Sequence, residues 1–507
     1  MKLSINGRVI VASPGDSIYR AAKQAGIGIP GLCTSDHLNP FGSCRLCLCE
    51  VEGQSGTPAS CTTPVREGMV VHTESERLTR LRKHLLELYL SEQPAGDRVP
   101  EPLQALARSL GLTHVRYLQP AGRVPVVDRS NPFFVFDNAV CISCARCVRA
   151  CDEIQGTHAL TMLYRGFSSR PAAGAAALSG EAAGFASSNC VSCGACVKEC
   201  PTGALIEKTV LEEGEPVQAV RTTCAYCGVG CTFDAGVREG RVVRMGPADD
   251  GPSNHGHACM KGRFGWTYNY APDRLRTPLL RQGDKWVELS WPAALDRIAE
   301  EWSRIKEAHG PDALATISSS RGTNEENYLF GKFMRCVIGS NHIDNCARVC
   351  HSATVTGMME TLGASAATNS IQDLDLAKLI LVVGANPTES HPVLGARIKQ
   401  AARRGVPLIV IDPRRTELAR LADLHLQLHP GTNVALLNGM GRVIAKELLT
   451  DAAFVRDRTE GFEEWLNVVE ACTPELTSRL TGVPAHLITE AARRYATSGG
   501  SMAVHGL

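Results

Sequence analysis

A multi-domain chain, α+β in its first half and α/β in its second, is the fold class that three observations predict. The chain has 507 residues, more than one hydrophobic core supports. Most of its 21 cysteines fall into four closely spaced groups set in strand-like and turn-rich sequence. From about residue 290, short β-branched runs alternate with helical patterns, as in a parallel sheet crossed by helices. Composition is otherwise ordinary, with 44% hydrophobic and 21% charged residues and a formal net charge of +1. Nothing in it favours binding to nucleic acid or attraction to a membrane surface. The longest apolar run, around Leu379–Val383, is too short to span a bilayer, so no membrane insertion is expected. The N-terminal MKLSINGRVIVASPGD alternates like a strand and lacks the regions of a signal peptide. The arginine pairs Arg403-Arg404, Arg414-Arg415 and Arg493-Arg494 lie deep in the chain and cannot act as export signals. Dense cysteine without export points to thiolate–metal chemistry in a reducing cytoplasm, not to disulfides.

Residues 1–78 read as a small β-rich domain. Leu3–Ile5 and Val9–Val11 flank Asn6-Gly7, a hairpin signal, and Ser17–Ala25 reads as a helix. Cys33-x10-Cys44-x2-Cys47-x13-Cys61 follows, with Gly31, Gly42 and Ser43 permitting close approach of backbone to a cofactor. Four cysteines so arranged suit one [2Fe–2S] cluster, although the spacing is not that of plant ferredoxins. Cys49 is left over and is expected to be a packed neighbour. Residues 79–118 form a helical connector on Leu81, Leu85 and Leu88.

Residues 130–210 carry Cys141-x2-Cys144-x2-Cys147-x3-Cys151 and Cys190-x2-Cys193-x2-Cys196-x3-Cys200-Pro201. In such runs the fourth thiolate crosses to the neighbouring cluster. One [4Fe–4S] cluster is therefore expected on Cys141, Cys144, Cys147 and Cys200, and a second on Cys190, Cys193, Cys196 and Cys151. Structural zinc is the alternative, but it uses C-x2-C pairs and not two such quartets. The stretch 171–189 between the motifs is low in complexity. Over residues 218–275, Cys224-x2-Cys227-x3-Cys231-x27-Cys259 suits a third [4Fe–4S] cluster and runs into Met260-Lys261-Gly262. Lys261 is either a surface lysine or a charged bridge from that cluster to a second cofactor. In residues 276–507, Leu379–Val383 ends at Gly384-Ala385-Asn386-Pro387. A helix follows over about His391–Arg403, and a strand Pro407–Ile411 ends at Asp412-Pro413-Arg414. This βαβ unit places polar residues at the carboxyl ends of its strands, where α/β folds bind ligands. With no G-x-G-x-x-G, a nucleotide-like pterin tail fits better than NAD.

The order of these groups resembles, over essentially the whole chain, the catalytic subunit of cytoplasmic, NAD-linked, molybdenum-dependent formate dehydrogenases of the molybdopterin oxidoreductase superfamily. The first domain is similar to the β-grasp [2Fe–2S] ferredoxin domain of the complex I large iron–sulfur subunit and its hydrogenase relatives. Asn341-His342-Ile343-Asp344-Asn345-Cys346-Ala347-Arg348-Val349-Cys350-His351-Ser352 resembles the family's active-site stretch, where a cysteine or selenocysteine ligates the metal and the next histidine faces substrate. The resemblance implies Cys350 as the molybdenum or tungsten ligand and His351 as the acid/base partner. Without that match Cys350 would read as a buried hydrophobe and His351 as a satisfied loop residue. Cys336, Cys346 and Cys472 keep the structural reading. The resemblance further implies that Gly384, Asn386, Glu389, Asp412 and Arg414 contact bis-molybdopterin guanine dinucleotide. Gly431, Thr432 and Asn433 form a third contact loop. A carboxylate matches guanine's N–H donors and arginine suits a diphosphate. The implied activity is oxidation of formate to CO2, or the reverse. Electrons would pass by Lys261 and the clusters to a flavin- and NAD-binding partner.

Two departures from the family stand out. Relatives carry a further cluster on one histidine and three cysteines between the first two domains. Here that stretch reads Ser91-Glu92-Gln93-Pro94-Ala95-Gly96-Asp97 with no cysteine from residue 62 to 140. That cluster is expected to be absent, which leaves the electron route to the [2Fe–2S] domain open. The chain also ends at Ser501-Met502-Ala503-Val504-His505-Gly506-Leu507, which resembles a strand of the pterin-binding core just beginning. Truncation of that α/β domain is therefore expected, with a separate chain as one possible source of the C-terminal lobe. Three other readings compete. One is a purely electron-transferring subunit like that of complex I. Another is a different molybdenum enzyme, such as a cysteine-ligated nitrate reductase, which would resemble only the part after residue 218. The third is a non-catalytic electron-wire or assembly module.

Overall fold

The computed structural model describes residues 1–94, 98–117, 126–174 and 184–506. Part of the 171–189 stretch, and Ala95–Asp97 of the stretch without cysteine, lie outside the described residues. The chain divides into two compact units. The first comprises Met1–Cys224, Val229–Phe264 and Pro392–Gln400; the second comprises Ala225–Gly228, Gly265–His391 and Ala401–Leu507.

In the first unit, strands Lys2–Ile5 and Arg8–Val11 pair antiparallel, with Ile5 opposite Arg8. Asn6 and Gly7 both take positive φ, 52° and 77°, which matches the twist of a two-residue hairpin. Strand Val70–His72 runs parallel to the first strand and Glu50–Val51 closes the four-stranded sheet. Alternation along Lys2–Ile5 sends Leu3 and Ile5 inward, onto Ile18, Ala21 and Ala22 of helix Ile18–Gln24. Ser17 caps that helix by accepting from Arg20 N–H. Helices Glu76–Ser91 and Glu101–Ser109 follow. Leu86 and Leu103 lie in one apolar cluster with Leu32, Cys33, Cys44, Leu46, Ile142 and Cys144.

The paired-quartet region is built on strands Val127–Asp128, Phe134–Asp137 and Leu205–Glu207, with a separate hairpin Leu160–Leu163/Arg170–Ala173. Its core is aromatic: Phe134 meets Phe185 edge-on at 5.0 Å and Phe133 stacks on Phe264 at 4.7 Å. A three-stranded antiparallel sheet, Gln218–Thr223, Thr232–Arg238 and Arg241–Pro247, completes this unit's β structure.

The second unit centres on a parallel sheet with strand order Leu424–Leu426, Leu408–Ile411, Leu379–Val383, Ser501–His505. Leu379, Leu381, Ile409, Ile411, Leu424 and Leu426 form a buried core with Leu436, Met440, Ile488 and Ala492 from helices Asn433–Lys446 and Ala485–Thr497. A second parallel pair joins Thr316–Ser318 to Ile343–Asn345. Among the described residues no helix is long and apolar enough to cross a membrane.

Candidate metal centres and active site

Thiolate ligands need N–H donors and a backbone that bends around the metal. Both features are present at the first group. Cys44 N–H points at Cys33 Sγ at 3.4 Å, and Leu32 N–H at Cys44 Sγ at 3.5 Å. A hydrogen bond from Cys44 pulls the Cys33 thiol down, and one from Cys61 lowers Cys47 to about 6. Cys44 and Cys61, which donate those bonds, are pushed up. Four sulfurs within hydrogen-bonding reach cannot all ionise unless a cation joins them, which suits a cluster. Cys49 stands apart, donating to Pro58 O at 3.6 Å, and burial raises its thiol to about 11.

The two quartets share one local design. Ser143 and Ala145 follow the first and second cysteines of one motif with φ of 53° and 58°; Ser192 and Gly194 do so in the other at 52° and 72°. This left-handed backbone aims amides at sulfur: Ser143 N to Cys141 Sγ and Ser192 N to Cys190 Sγ, each 3.3 Å. Cys151 Sγ accepts from Ala159 N at 3.1 Å and Cys200 Sγ from Leu205 N at 3.5 Å. Burial raises the Cys144 thiol to about 12, and the charges of Cys200 and Cys141 add to that rise. Burial likewise raises Cys193 to about 12, there with Cys151 and Cys190. Cys151, Cys190, Cys193 and Cys196 line a single cavity walled by Phe134, Leu160 and Phe185. In that wall Gln155 Oε1 and Thr157 Oγ1 are buried without a hydrogen-bond partner among the described residues. The chemistry of this donor set fits a thiolate-bound group. Among the described residues no three such side chains close on a point as ligands to one ion would. A cluster instead takes its thiolates around a cage.

The first domain and the first quartet are in direct contact. Cys33 and Cys44 share an apolar cluster with Ile142 and Cys144, and Tyr89 lies close enough to feel all three thiols. Arg149, between Cys147 and Cys151, donates to Cys33 O at 2.5 Å and Asn39 O at 2.6 Å, and its guanidinium covers the Phe41 ring at 5.1 Å. At the third group, the antiparallel register Thr223 to Thr232 brings Cys224 and Cys231 together, with Cys224 N bonded to Cys231 O at 2.8 Å. Cys259 and the exposed Lys261 also lie in the first unit, whereas Cys227 falls in the Ala225–Gly228 stretch of the second. Buried His257 is held neutral, its pKa lowered to about 3 by burial and by Lys198, Arg263 and Arg397.

In the second unit, the loops holding Gly384, Asn386, Glu389, Asp412 and Arg414 leave the carboxyl ends of adjacent strands, Val383 pairing with Ile411. Gly431, Thr432 and Asn433 follow strand Leu424–Leu426 and start helix Asn433–Lys446. The eight residues therefore gather along one sheet edge, where α/β folds take ligands. Gly384 is left-handed at φ 56°. Gly506 must lack a side chain, because a Cβ there would lie 2.1 Å from Gly384 O. Asp412 is only 5% exposed and spends Oδ1 on Arg414 N at 2.7 Å, while Arg414, Glu389, Gly431 and Asn433 are exposed. Cys350 is exposed at the end of helix Ala347–Cys350. His351 then breaks the helix with φ −146° and ψ 11°, and Ser352–Leu362 resumes it.

Sequence reasoning missed Cys346. It is an exposed thiol, not a packed one: its Sγ accepts from Ser320 N at 3.3 Å and contacts Ser320 Oγ at 3.2 Å. These bonds, helped by the Arg321 charge, lower its pKa. Cys336 is exposed as well, and Cys472 is half-buried with its Sγ on Val468 O at 3.7 Å.

Comparison with known proteins follows the same order along the chain. Residues 1–76 match a 2Fe-2S iron-sulfur cluster binding domain, and 140–204 a 4Fe-4S dicluster domain. Residues 217–271 match the molybdopterin oxidoreductase Fe4S4 domain, and 274–494 the molybdopterin oxidoreductase family. "Probable oxidoreductase YjgC" of Bacillus subtilis (strain 168) is 31% identical over 97% of this chain and 54% of its own length. "Putative formate dehydrogenase SAR2393" of Staphylococcus aureus (strain MRSA252) is 31% identical over 95% of this chain and 53% of its own. The chain thus spans about half the length of the curated relatives it matches. Among solved structures, acetylene hydratase from Pelobacter acetylenicus is 29% identical, covering 56% of this chain and 39% of its own, at a TM-score of 0.49. Domain by domain, the chain carries a 2Fe-2S domain, 4Fe-4S domains and a region matching the molybdopterin oxidoreductase family, and it is homologous at 30–31% identity to proteins named as putative formate dehydrogenases.

Proposed function

We propose that the chain works in the oxidation of formate to CO2, or the reverse, as the catalytic subunit of a cytoplasmic formate dehydrogenase that exchanges electrons with a flavin- and NAD-binding partner. The observation that carries this reading is the exposed Cys350 followed by half-buried His351 at a helix break, in a chain homologous to proteins bearing that name. The proposed ligand sets are Cys33, Cys44, Cys47 and Cys61 for one [2Fe–2S] cluster, the two crossed quartets, and Cys224, Cys227, Cys231 and Cys259 for a third [4Fe–4S] cluster. Bis-molybdopterin guanine dinucleotide would lie along the Gly384, Asp412 and Gly431 loops, with Cys350 as the thiolate ligand to molybdenum or tungsten.

When bound, the metal–dithiolene group supplies a two-electron acceptor. Formate then gives CO2, one proton and two electrons. His351 would take the proton at an imidazole nitrogen, as a general base. Lys261, exposed two residues after Cys259, offers a cation beside that ligand set. Asp412 Oδ1 already caps its own turn, so its contribution to a purine is through the other oxygen. Cys33, Cys44 and Cys144 share one apolar cluster, which supports a direct route between the first domain and the quartets.

The test is metal and pterin content of the anaerobically purified chain, co-expressed with its genomic neighbours, followed by formate turnover. The usual cluster stoichiometries give about 14 irons. Cys350→Ala should abolish turnover with iron unchanged, and His351→Ala should cut turnover far more than pterin content. Turnover that survives Cys350→Ala would remove its ligand role, and a preparation with iron but neither molybdenum nor tungsten would favour the electron-transfer reading.

A further inference from the structure

Between the third cysteine group and the second quartet lies a buried ion pair. Arg263, four residues after Cys259 on helix Met260–Phe264, donates through Nε (3.0 Å) and Nη2 (2.8 Å) to Glu207 Oε1. Their side chains are 4% and 2% exposed. Isolated ion pairs this deep rarely add stability, since desolvation offsets their attraction. Its location gives it another role. Gly194 lies between the ligand positions Cys193 and Cys196, and a Cβ there would fall 2.4 Å from Arg263 Cδ and 2.6 Å from Nε. The guanidinium stem therefore occupies the space that a side chain on the cysteine loop would fill. In the sister motif that position is Ala145, which takes the left-handed conformation without being a glycine. Conformation alone thus does not demand glycine at 194; the room taken by Arg263 does. Glu207, the counter-charge, sits at the end of strand Leu205–Glu207 and leaves Oε2 without a hydrogen-bond partner among the described residues. The Arg263 charge is among the influences that favour ionisation of the Cys193 and Cys196 thiols, against their burial.

We propose that Arg263 is a positioning residue for charge: its buried guanidinium, laid on the Cys193–Cys196 loop, raises the reduction potential of the cluster held by Cys151, Cys190, Cys193 and Cys196. The inference rests on the ligand assignment made under the proposed function. One-electron reduction of a [4Fe–4S] cluster from the 2+ to the 1+ state adds one negative charge to the cage. A fixed cation in a dry site favours the reduced state, and net charge is a main lever on such potentials. Glu207 carries the opposite charge and anchors the guanidinium. Because helix Met260–Phe264 starts directly after Cys259, the segment that follows a ligand of one group sets the affinity for electrons of the next.

The experiment is a potentiometric titration followed by electron paramagnetic resonance on the full chain, anaerobically purified and reconstituted. Wild type is compared with Arg263→Gln, Glu207→Gln and the double variant. Arg263→Gln should shift one [4Fe–4S] signal to lower potential, with a ten-fold fall in its reduced-to-oxidised ratio at the wild-type midpoint, equal to 59 mV for a one-electron couple, and the double variant should shift it the same way by less. Glu207→Gln should shift the same signal upward. If Arg263→Gln loses iron, Glu207→Gln still decides, because it keeps the cation. Unchanged potentials with intact signals would overturn this inference alone. Two missing [4Fe–4S] signals already in wild type would overturn the ligand assignment, and this inference with it.

Discussion

At the scale of single residues, the cysteines divide by what surrounds their sulfur. Cys49 and Cys346 were both surplus to any ligand pattern, yet their environments are opposite. Burial raises Cys49 to about 11, whereas Ser320 donors and the Arg321 charge lower Cys346. A lowered thiol pKa leaves more thiolate at neutral pH, so Cys346 should be alkylated faster than Cys336, which is also exposed. Ser320→Ala would raise that pKa, slowing iodoacetamide labelling of Cys346 several-fold at pH 7 and converging with wild type once pH exceeds both values. Peptide mass spectrometry across pH measures this, and an unchanged rate at pH 7 would sink the assignment. The cysteine grouping was legible in the sequence because its three-residue spacing is local. The Ser320–Cys346 contact was not, since it spans 26 residues and leaves no periodic trace.

Elements show a similar division between local and distant information. Asn6-Gly7 announced its hairpin, and Leu379–Val383 with Pro392–Arg403 and Leu408–Ile411 announced the βαβ unit, because turn chemistry and hydrophobic period are local. The helix Glu76–Ser91 was legible only as a connector, yet it also pins the cysteine loop. Its Arg82, buried, donates Nε to Leu46 O at 3.0 Å and Nη2 to Leu48 O at 2.7 Å, either side of Cys47. Arg82→Leu leaves both carbonyls unsatisfied, at a cost of about 2 kcal/mol or more. Since 1.4 kcal/mol is ten-fold, hydrogen-exchange protection at the Cys49 and Ser60 amides should drop by roughly thirty-fold. Those amides bond to Pro58 O and Cys47 O across the same loop. Protection that survives would show the loop to be held without Arg82.

On the scale of the whole molecule, the second unit presents much apolar surface. Helix Trp291–His309 has no buried residue, and Trp291, Leu295 and Ile298 are 63%, 57% and 45% exposed at helical spacing. Their spacing in sequence reads as a core stripe, and only the fold shows it facing outward. Alone in solution, the chain should bind an apolar dye such as bis-ANS strongly, and Trp291→Ser with Leu295→Gln should reduce the fluorescence by a large fraction. Equal fluorescence would locate the dye site elsewhere.

The packing of Cys33 and Cys44 against Cys144 ties two cysteine groups to one apolar core, which Leu86 and Leu103 also fill. A cavity opened at either leucine would therefore loosen both groups at once. Whatever the two groups hold should be kept or lost together.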